Sequence, residues 1–186
     1  MKGIIAFCSL LFVSFSLSCT FDYGDSESSG DDSPDLIMEN VDYVRVRSAD
    51  PLARIQAERV ERYEKQSIIK LQNLTFEQYG ERGEEVNISG RAGYALVEIQ
   101  SGDIYMDEGV KLEVQTEDII METNQLQWKD EPRDISVGEN NEIYIYRDNG
   151  TRFTGTGLQA NSRMRTWEFL GTVRGTYIHD DNDDTE

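Results

Sequence analysis

From residue 42 to about residue 178 the chain alternates apolar and polar side chains with a period of two. Asp42 to Arg47 alternates. Lys111-Leu112-Glu113-Val114-Gln115 puts Leu112 and Val114 on one face and the polar residues on the other. Glu142-Ile143-Tyr144-Ile145-Tyr146 separates isoleucines from tyrosines, and Thr166-Trp167-Glu168-Phe169 alternates with a spacing that continues through Gly171 and Val173. Successive side chains of a strand point to opposite faces, so this pattern specifies half-buried antiparallel strands. Turn signals recur between the runs: Tyr79-Gly80, Arg82-Gly83, Ser101-Gly102-Asp103, Glu108-Gly109 and Asp148-Asn149-Gly150, the last the clearest hairpin. No long segment carries a helical stripe. Leu52 to Gln66 is ambiguous, since Ile55, Arg59 and Arg62 fit a helix face while Ala53, Ile55 and Ala57 fit a strand; a strand to about Glu58 and then a turn is expected. The fold class expected is all-β, one domain of many short strands.

The charge is concentrated at the ends. The whole chain has 36 acids, 18 bases and a formal net charge of −18. Residues 22–42 hold eight acids and no base, and residues 180–186 five acids and no base. That leaves 23 acids against 17 bases over 43–179. A field of this sign excludes a nucleic-acid backbone as partner, because phosphate binding needs clustered Lys and Arg. The stretch 19–41 is acidic and rich in Ser and Gly, with too little apolar surface to offset ordering entropy, so it is expected to be a linker, and 180–186 an acidic tail.

Residues 1–18 read as a bacterial export signal: Lys2, then sixteen uncharged residues from Gly3 to Ser18. Such a run spans roughly 24 Å as a helix, short of the ~30 Å hydrocarbon core. Phe15-Ser16-Leu17-Ser18-Cys19 is similar to a lipoprotein signal of the looser spirochaete type, which makes Cys19 the candidate lipidation site. The alternative is an uncleaved anchor. Several acyl chains on Cys19 would hold the protein on a membrane. With the signal removed and Cys19 blocked, the mature chain has no thiol, so a disulfide or Cys-zinc site is excluded.

No transferable catalytic pattern appears. Phosphate loop, serine elbow and metal-ligand spacing are all missing, and the single His179 sits beside the acidic tail. The expected chain is therefore not an enzyme and carries no cofactor and no metal. Gly155-Thr156-Gly157 reads as a close strand crossing where a side chain would clash.

Four segments together resemble LptC and its relatives in the LptA/OstA superfamily. They are Leu71-Gln72-Asn73-Leu74-Thr75-Phe76-Glu77-Gln78-Tyr79 with the later Ser89-Gly90-Arg91-Ala92-Gly93; Ile119 to Trp128; Gly155-Thr156-Gly157-Leu158-Gln159-Ala160; and Trp167 to Gly175. The resemblance covers roughly 43–178, within a domain expected over 42–179. It implies an open, V-shaped antiparallel β-jellyroll of two facing sheets. It also implies a carrier that takes lipopolysaccharide or a similar glycolipid from an inner-membrane ABC transporter and passes it to a periplasmic bridge protein. The location implied is the periplasmic face of the inner membrane, with a lipid anchor here in place of the family's transmembrane helix; an outer-membrane anchor is the other option.

An open roll leaves an apolar groove, and acyl chains suit it because each methylene removed from water gains roughly 0.8 kcal/mol without directional bonds. The expected groove residues are Leu74, Phe76, Ile88, Ala92, Leu112, Val114, Leu126, Trp128, Ile143, Ile145, Leu158, Trp167, Phe169 and Val173. In a closed sandwich the same residues would be plain core. The expected edges for adding partner strands are Tyr43–Arg47, toward the transporter, and Phe169–Ile178, toward the bridge. The rival reading is a surface lipoprotein with a closed β-sandwich binding glycan or protein through Tyr144 and Tyr146.

Overall fold

The computed structural model describes residues 33–80, 82–161, 163 and 166–178. The export signal, Cys19, most of the linker, His179 and the acidic tail lie outside the described residues. The strands are β1 (Leu36–Arg47), β2 (Asp50–Tyr63), β3 (Ile68–Tyr79), β4 (Val86–Glu98), β5 (Ile104–Asp107), β6 (Val110–Val114), β7 (Ile119–Thr123), β8 (Leu126–Lys129), β9 (Asp134–Ser136), β10 (Glu142–Arg147), β11 (Arg152–Thr156), β12 (Leu158–Asn161), β13 (Thr166–Phe169) and β14 (Arg174–Thr176). One 3-10 turn spans Gln115–Glu117.

β1 to β4 are long antiparallel neighbours. Beyond β4 the sheet forks. Tyr94–Val97 of β4 pair with β5, while Ile88–Arg91 pair with β6. One branch continues β5-β8-β9-β12-β13 and the other β6-β7-β10-β11-β14. The chain swaps branch after β5, β7, β9, β11 and β13. Each of these pairs is thus one long strand broken in the middle, and the whole is an up-and-down meander of nine long strands. We call the two branches, with the parts of β1–β4 they continue, the upper and lower half-sheets.

The break falls at the same level in every strand. In β1–β4 it lies at Asn40, Glu58, Asn73 and Gly93, which the register of paired residues skips. Asn40 and Asn73 have φ of 52° and 49°, the left-handed region that Asn tolerates better than most residues. Asn73 Nδ2 donates to Glu58 Oε2 at 2.6 Å, and the Gly93 N–H donates to the Glu108 carbonyl at 3.1 Å, so the crease is stitched across. A Cβ on Gly93 would stand 2.6 Å from that of Glu108. The line continues through Glu108-Gly109, Asn124-Gln125, Val137–Asn141, Gly157 and Leu170–Val173.

The break changes which residues face inward. Ala57 and Val60, Leu71 and Leu74, and Ala92 and Ala95 are all buried although each pair is three apart. Cross-strand pairing lines them into two rows along the crease. Val60, Leu71, Ala95, Met106 and Leu126 form the upper row. Val41, Ala57, Leu74 and Ala92 belong to the lower one. Folding along the crease brings the half-sheets face to face. Phe153 of β11 meets Trp167 of β13 edge-on at 6.0 Å between ring centres. Phe169 of β13 lies over Gly155 of β11, where a Cβ would come within 2.5 Å of its ring. The Gly155-Thr156-Gly157 crossing is therefore close for the expected reason. Among the described residues β1 pairs with β2 alone, β13 with β12 alone and β14 with β11 alone, so the roll stays open. This is an open, V-shaped antiparallel jellyroll.

Three expectations need correction. The second strand does not stop near Glu58 but runs to Tyr63, because the break at Glu58 shifts the alternation without ending the pairing. The first strand begins at Leu36, inside the stretch read as linker. The alternation after Phe169 does not continue one strand: β13 ends there, and the chain crosses to the lower half-sheet before β14.

The outer face is polar. Arg54 donates from Nε and Nη2 to both oxygens of Asp42, at 2.9 and 2.6 Å, and holds that carboxyl below its ordinary range. Arg59 reaches Glu39 and Glu61. Tyrosines bond the acid two residues away on the same strand: Tyr63 to Glu61, Tyr79 to Glu77 and Tyr105 to Asp107.

Two outcomes test this arrangement. Ile143 is fully buried while its neighbour Tyr144 faces outward. Ile143→Ala is expected to cost about 2–5 kcal/mol in urea unfolding, and Tyr144→Ala under about 1 kcal/mol. Similar losses at both would mean the face assignment is wrong. Glu61 accepts from Tyr63 and from Arg59, and those bonds lower its pKa. A carboxyl lowered in the folded state adds stability above its unfolded pKa and loses it as pH falls through the folded one. Glu61→Gln is therefore destabilised at neutral pH, with the difference from the parent shrinking in acid. A pH-independent gap in urea midpoints would show that only packing was lost.

Candidate functional site

Burial on the inner face is graded by distance from the crease. The two rows beside it make a sealed floor: Ile143 is 0 % exposed and Leu158 1 %. Thr123, in the same row, is buried with its hydroxyl donating to the Glu142 carbonyl at 2.8 Å, so the floor carries no unpaired polar group there. The floor divides into two clusters. Leu74, Ala92 and Leu126 belong to the first, with Phe76 and Ile135 packed against it. Ile143, Ile145 and Leu158 belong to the second, with Met121, Phe153 and Phe169 packed on it.

Farther from the crease, the flanks carry a second pair of rows. On the lower half-sheet, pairing aligns Tyr43, Ile55, Phe76, Gly90, Leu112, Met121, Ile145 and Phe153. On the upper one it aligns Ile69, Val97, Ile104, Trp128, Ile135, Ala160 and Trp167. Ile88 and Val114 pair one step farther out on the lower flank. Phe76, Ile88, Val114, Trp128 and Phe169 are half-buried, whereas Leu112 and Ile145 are buried.

The two ends of this apolar strip are exposed. Tyr43 on β1 and Trp167 on β13 each keep 54 % of their surface in solvent. At the β13 end, Trp167 makes edge-on ring contacts with Phe153 and with Phe169, the latter at 5.8 Å. Such aromatic pairs hold their orientation better than aliphatic contacts.

Of the residues expected to line a groove, Leu74, Ala92, Leu126, Ile143 and Leu158 lie in the floor. Phe76, Ile88, Leu112, Val114, Trp128, Ile145 and Trp167 lie on the flanks, and Phe169 closes over the second cluster. Val173 is exposed on the crossover between β13 and β14 rather than on a strand. Sequence reasoning missed the upper floor row, Val60, Leu71, Ala95 and Met106. The three-residue spacing of Ala57/Val60, Leu71/Leu74 and Ala92/Ala95, set inside otherwise alternating runs, was the available signal.

Chemically the floor and the rows beside it offer mostly apolar area, with Arg62 in register with Ile69 and Gln78 with Ile88 at the outer margins. Among the described residues no group of His, Cys, Asp or Glu is arranged to hold a metal ion, and no helix is long and apolar enough to cross a membrane.

The family described as lipopolysaccharide-assembly, LptC-related, has a sequence profile that matches residues 3–178, nearly the whole chain. No curated protein matches it. That family is a transport component rather than an enzyme family, periplasmic and associated with the inner membrane. A match of this extent, on an open β-jellyroll with an apolar inner face, places the chain in the LptC-related family, with a role in lipopolysaccharide transport.

Proposed function

We propose that the protein is a membrane-tethered periplasmic carrier. It takes lipopolysaccharide or a similar glycolipid from an inner-membrane ABC transporter into the apolar trough and passes it to a periplasmic bridge protein. The observation that carries this reading is the gradient of burial: a sealed floor, half-buried flanks and ends left open at Tyr43 and Trp167. A folded domain gains by covering apolar surface, and a long strip left uncovered marks a ligand or partner site.

The floor residues Leu74, Ala92, Leu126, Ile143 and Leu158 act as a bed that keeps its shape. The flank residues Phe76, Ile88, Val114, Trp128 and Trp167 touch the chains, with Leu112, Ile145 and Phe169 behind them and Val173 at the exit. Because methylene burial has no preferred register, a chain can advance by small steps at little cost at each one. Direction comes from ATP hydrolysis in the transporter, not from this domain.

The free edges supply the connections. An edge row of N–H and C=O groups is a template for another strand. β1 would face the transporter's periplasmic β-domain. The β13 and β14 edges would face the bridge, so that neighbouring troughs align. Lipidation of Cys19 would hold the domain near the membrane through the acidic linker.

Photolabelling with glycolipid bearing a diazirine in its acyl chain tests the trough. Labelled peptides are expected to contain Phe76, Trp128 or Trp167, with Trp167→Asp lowering the yield. Labels confined to the outer face at Tyr144 and Tyr146 would overturn it and favour a surface-binding lipoprotein. Mass analysis of the mature N-terminus is expected to show acylated Cys19; an unmodified start at Met1 would remove the lipid anchor.

A further inference from the structure

On the outer face, beside the crease and opposite the trough, the lower half-sheet carries a hollow of about 840 Å³. It lies within the range of volumes, roughly 300–1,000 Å³, at which sites take small organic ligands. Its base is one cross-strand row, Arg91, Lys111, Glu122 and Tyr144, each in register with the next. The crossover before β10 supplies Asn140, and Glu142 closes the rim.

Three properties restrict what fits. First, Tyr144 presents 46 % of its surface to solvent in the middle of a strand, and its hydroxyl donates to Glu142 Oε2 at 3.1 Å, which fixes the ring. Second, Arg91 and Asn140 have no hydrogen-bond or ion-pair partner among the described residues, although Arg54, Arg59 and Lys111 are all paired. Third, the lining mixes Arg91 and Lys111 with Glu122 and Glu142, and Lys111 is already ion-paired with Glu113, so the hollow presents no excess of positive charge.

An acyl chain is excluded by the polar lining, and a strongly charged ligand gains nothing from a mixed one. A flat aromatic face beside free donors and acceptors suits a ligand with apolar C–H faces and many hydroxyl groups. We propose that this hollow binds an oligosaccharide. The site is distinct from the trough: it is on the other face and does not require that lipid binds inside.

The test is an amide-shift titration of the isotope-labelled full chain in mild detergent with three probes: deacylated lipopolysaccharide, chitotetraose and maltotetraose. At least one is expected to move the amides of Arg91, Lys111, Asn140 and Tyr144. Tyr144→Ala and Arg91→Gln should each weaken that binding about tenfold or more, while leaving the unfolding midpoint near that of the parent. Trp167→Asp, which impairs the trough, should leave it unchanged. Response to deacylated lipopolysaccharide alone assigns the hollow to the saccharide of the cargo. Response to chitotetraose assigns it to a separate N-acetylated glycan, and response to maltotetraose alone to a neutral glucan. Amides of the hollow that stay still at millimolar concentrations of all three, or shifts that survive Tyr144→Ala, would overturn the proposal.

Discussion

The crease governs the rest of the molecule. A strand's side chains alternate between faces, so an irregularity that displaces the alternation by one residue turns everything beyond it over. In a single strand that would bury polar residues and expose apolar ones relative to its neighbours. The outcome is stable only if the neighbours turn over at the same level. Asn40, Glu58, Asn73 and Gly93 do this in β1–β4, and the crossovers from Glu108-Gly109 onward repeat it. The result is two half-sheets that keep their own hydrogen-bond ladders and meet at an angle, with Val60, Leu71, Ala95, Met106 and Leu126 on one side of the fold and Ala57, Leu74 and Ala92 on the other.

This explains what could be read in the sequence. Within a half-sheet the alternation is intact, so Leu112/Val114 and Ile143/Ile145 were assigned to the correct face and the Asp148-Asn149-Gly150 hairpin to the correct turn. Across the crease the period fails, and β2 was cut short at the residue where its alternation turns over. The first half of β1, residues 36–41, was hidden for a different reason. Glu39 looks like the end of an acidic linker, but it faces Arg59 on the next strand, and that pairing is invisible without the fold. At the other end, Phe169, Gly171 and Val173 keep a spacing of two through a crossover, which no local rule separates from a continuing strand.

The same geometry determines where the inner face can take anything in. Close to the crease the half-sheets are near each other, and side chains such as Ile143 and Leu158 fill the space. Interiors pack densely and leave few voids, so that region is structural. Farther from the crease the same apolar alternation leaves Phe76, Ile88, Val114 and Trp128 half covered. A V therefore yields both a stable core and an accessible apolar strip from one repeated pattern. A closed barrel would keep only the core. In the proposed function the floor provides the stability that a thiol-free domain cannot draw from disulfides, and the flanks provide the surface for hydrocarbon.

Openness carries a cost that bears on partners. β1 exposes apolar residues on both faces, Leu36, Met38 and Tyr43 inward and Ile37 and Val44 outward. Such an edge invites pairing with any compatible strand. Its acids, Glu39 and Asp42, are engaged with β2 through Arg59 and Arg54, and its exposed bases Arg45 and Arg47 stand near the end of the strand. An edge whose acids stabilise its attachment to the sheet, rather than guarding its free side, is suited to being occupied. At the far end Trp167, Leu170, Val173 and Tyr177 repeat the condition beside β13 and β14. In the proposed function, edge strands that keep apolar residues exposed at both ends of one trough would suit a middle link in a chain of β-domains.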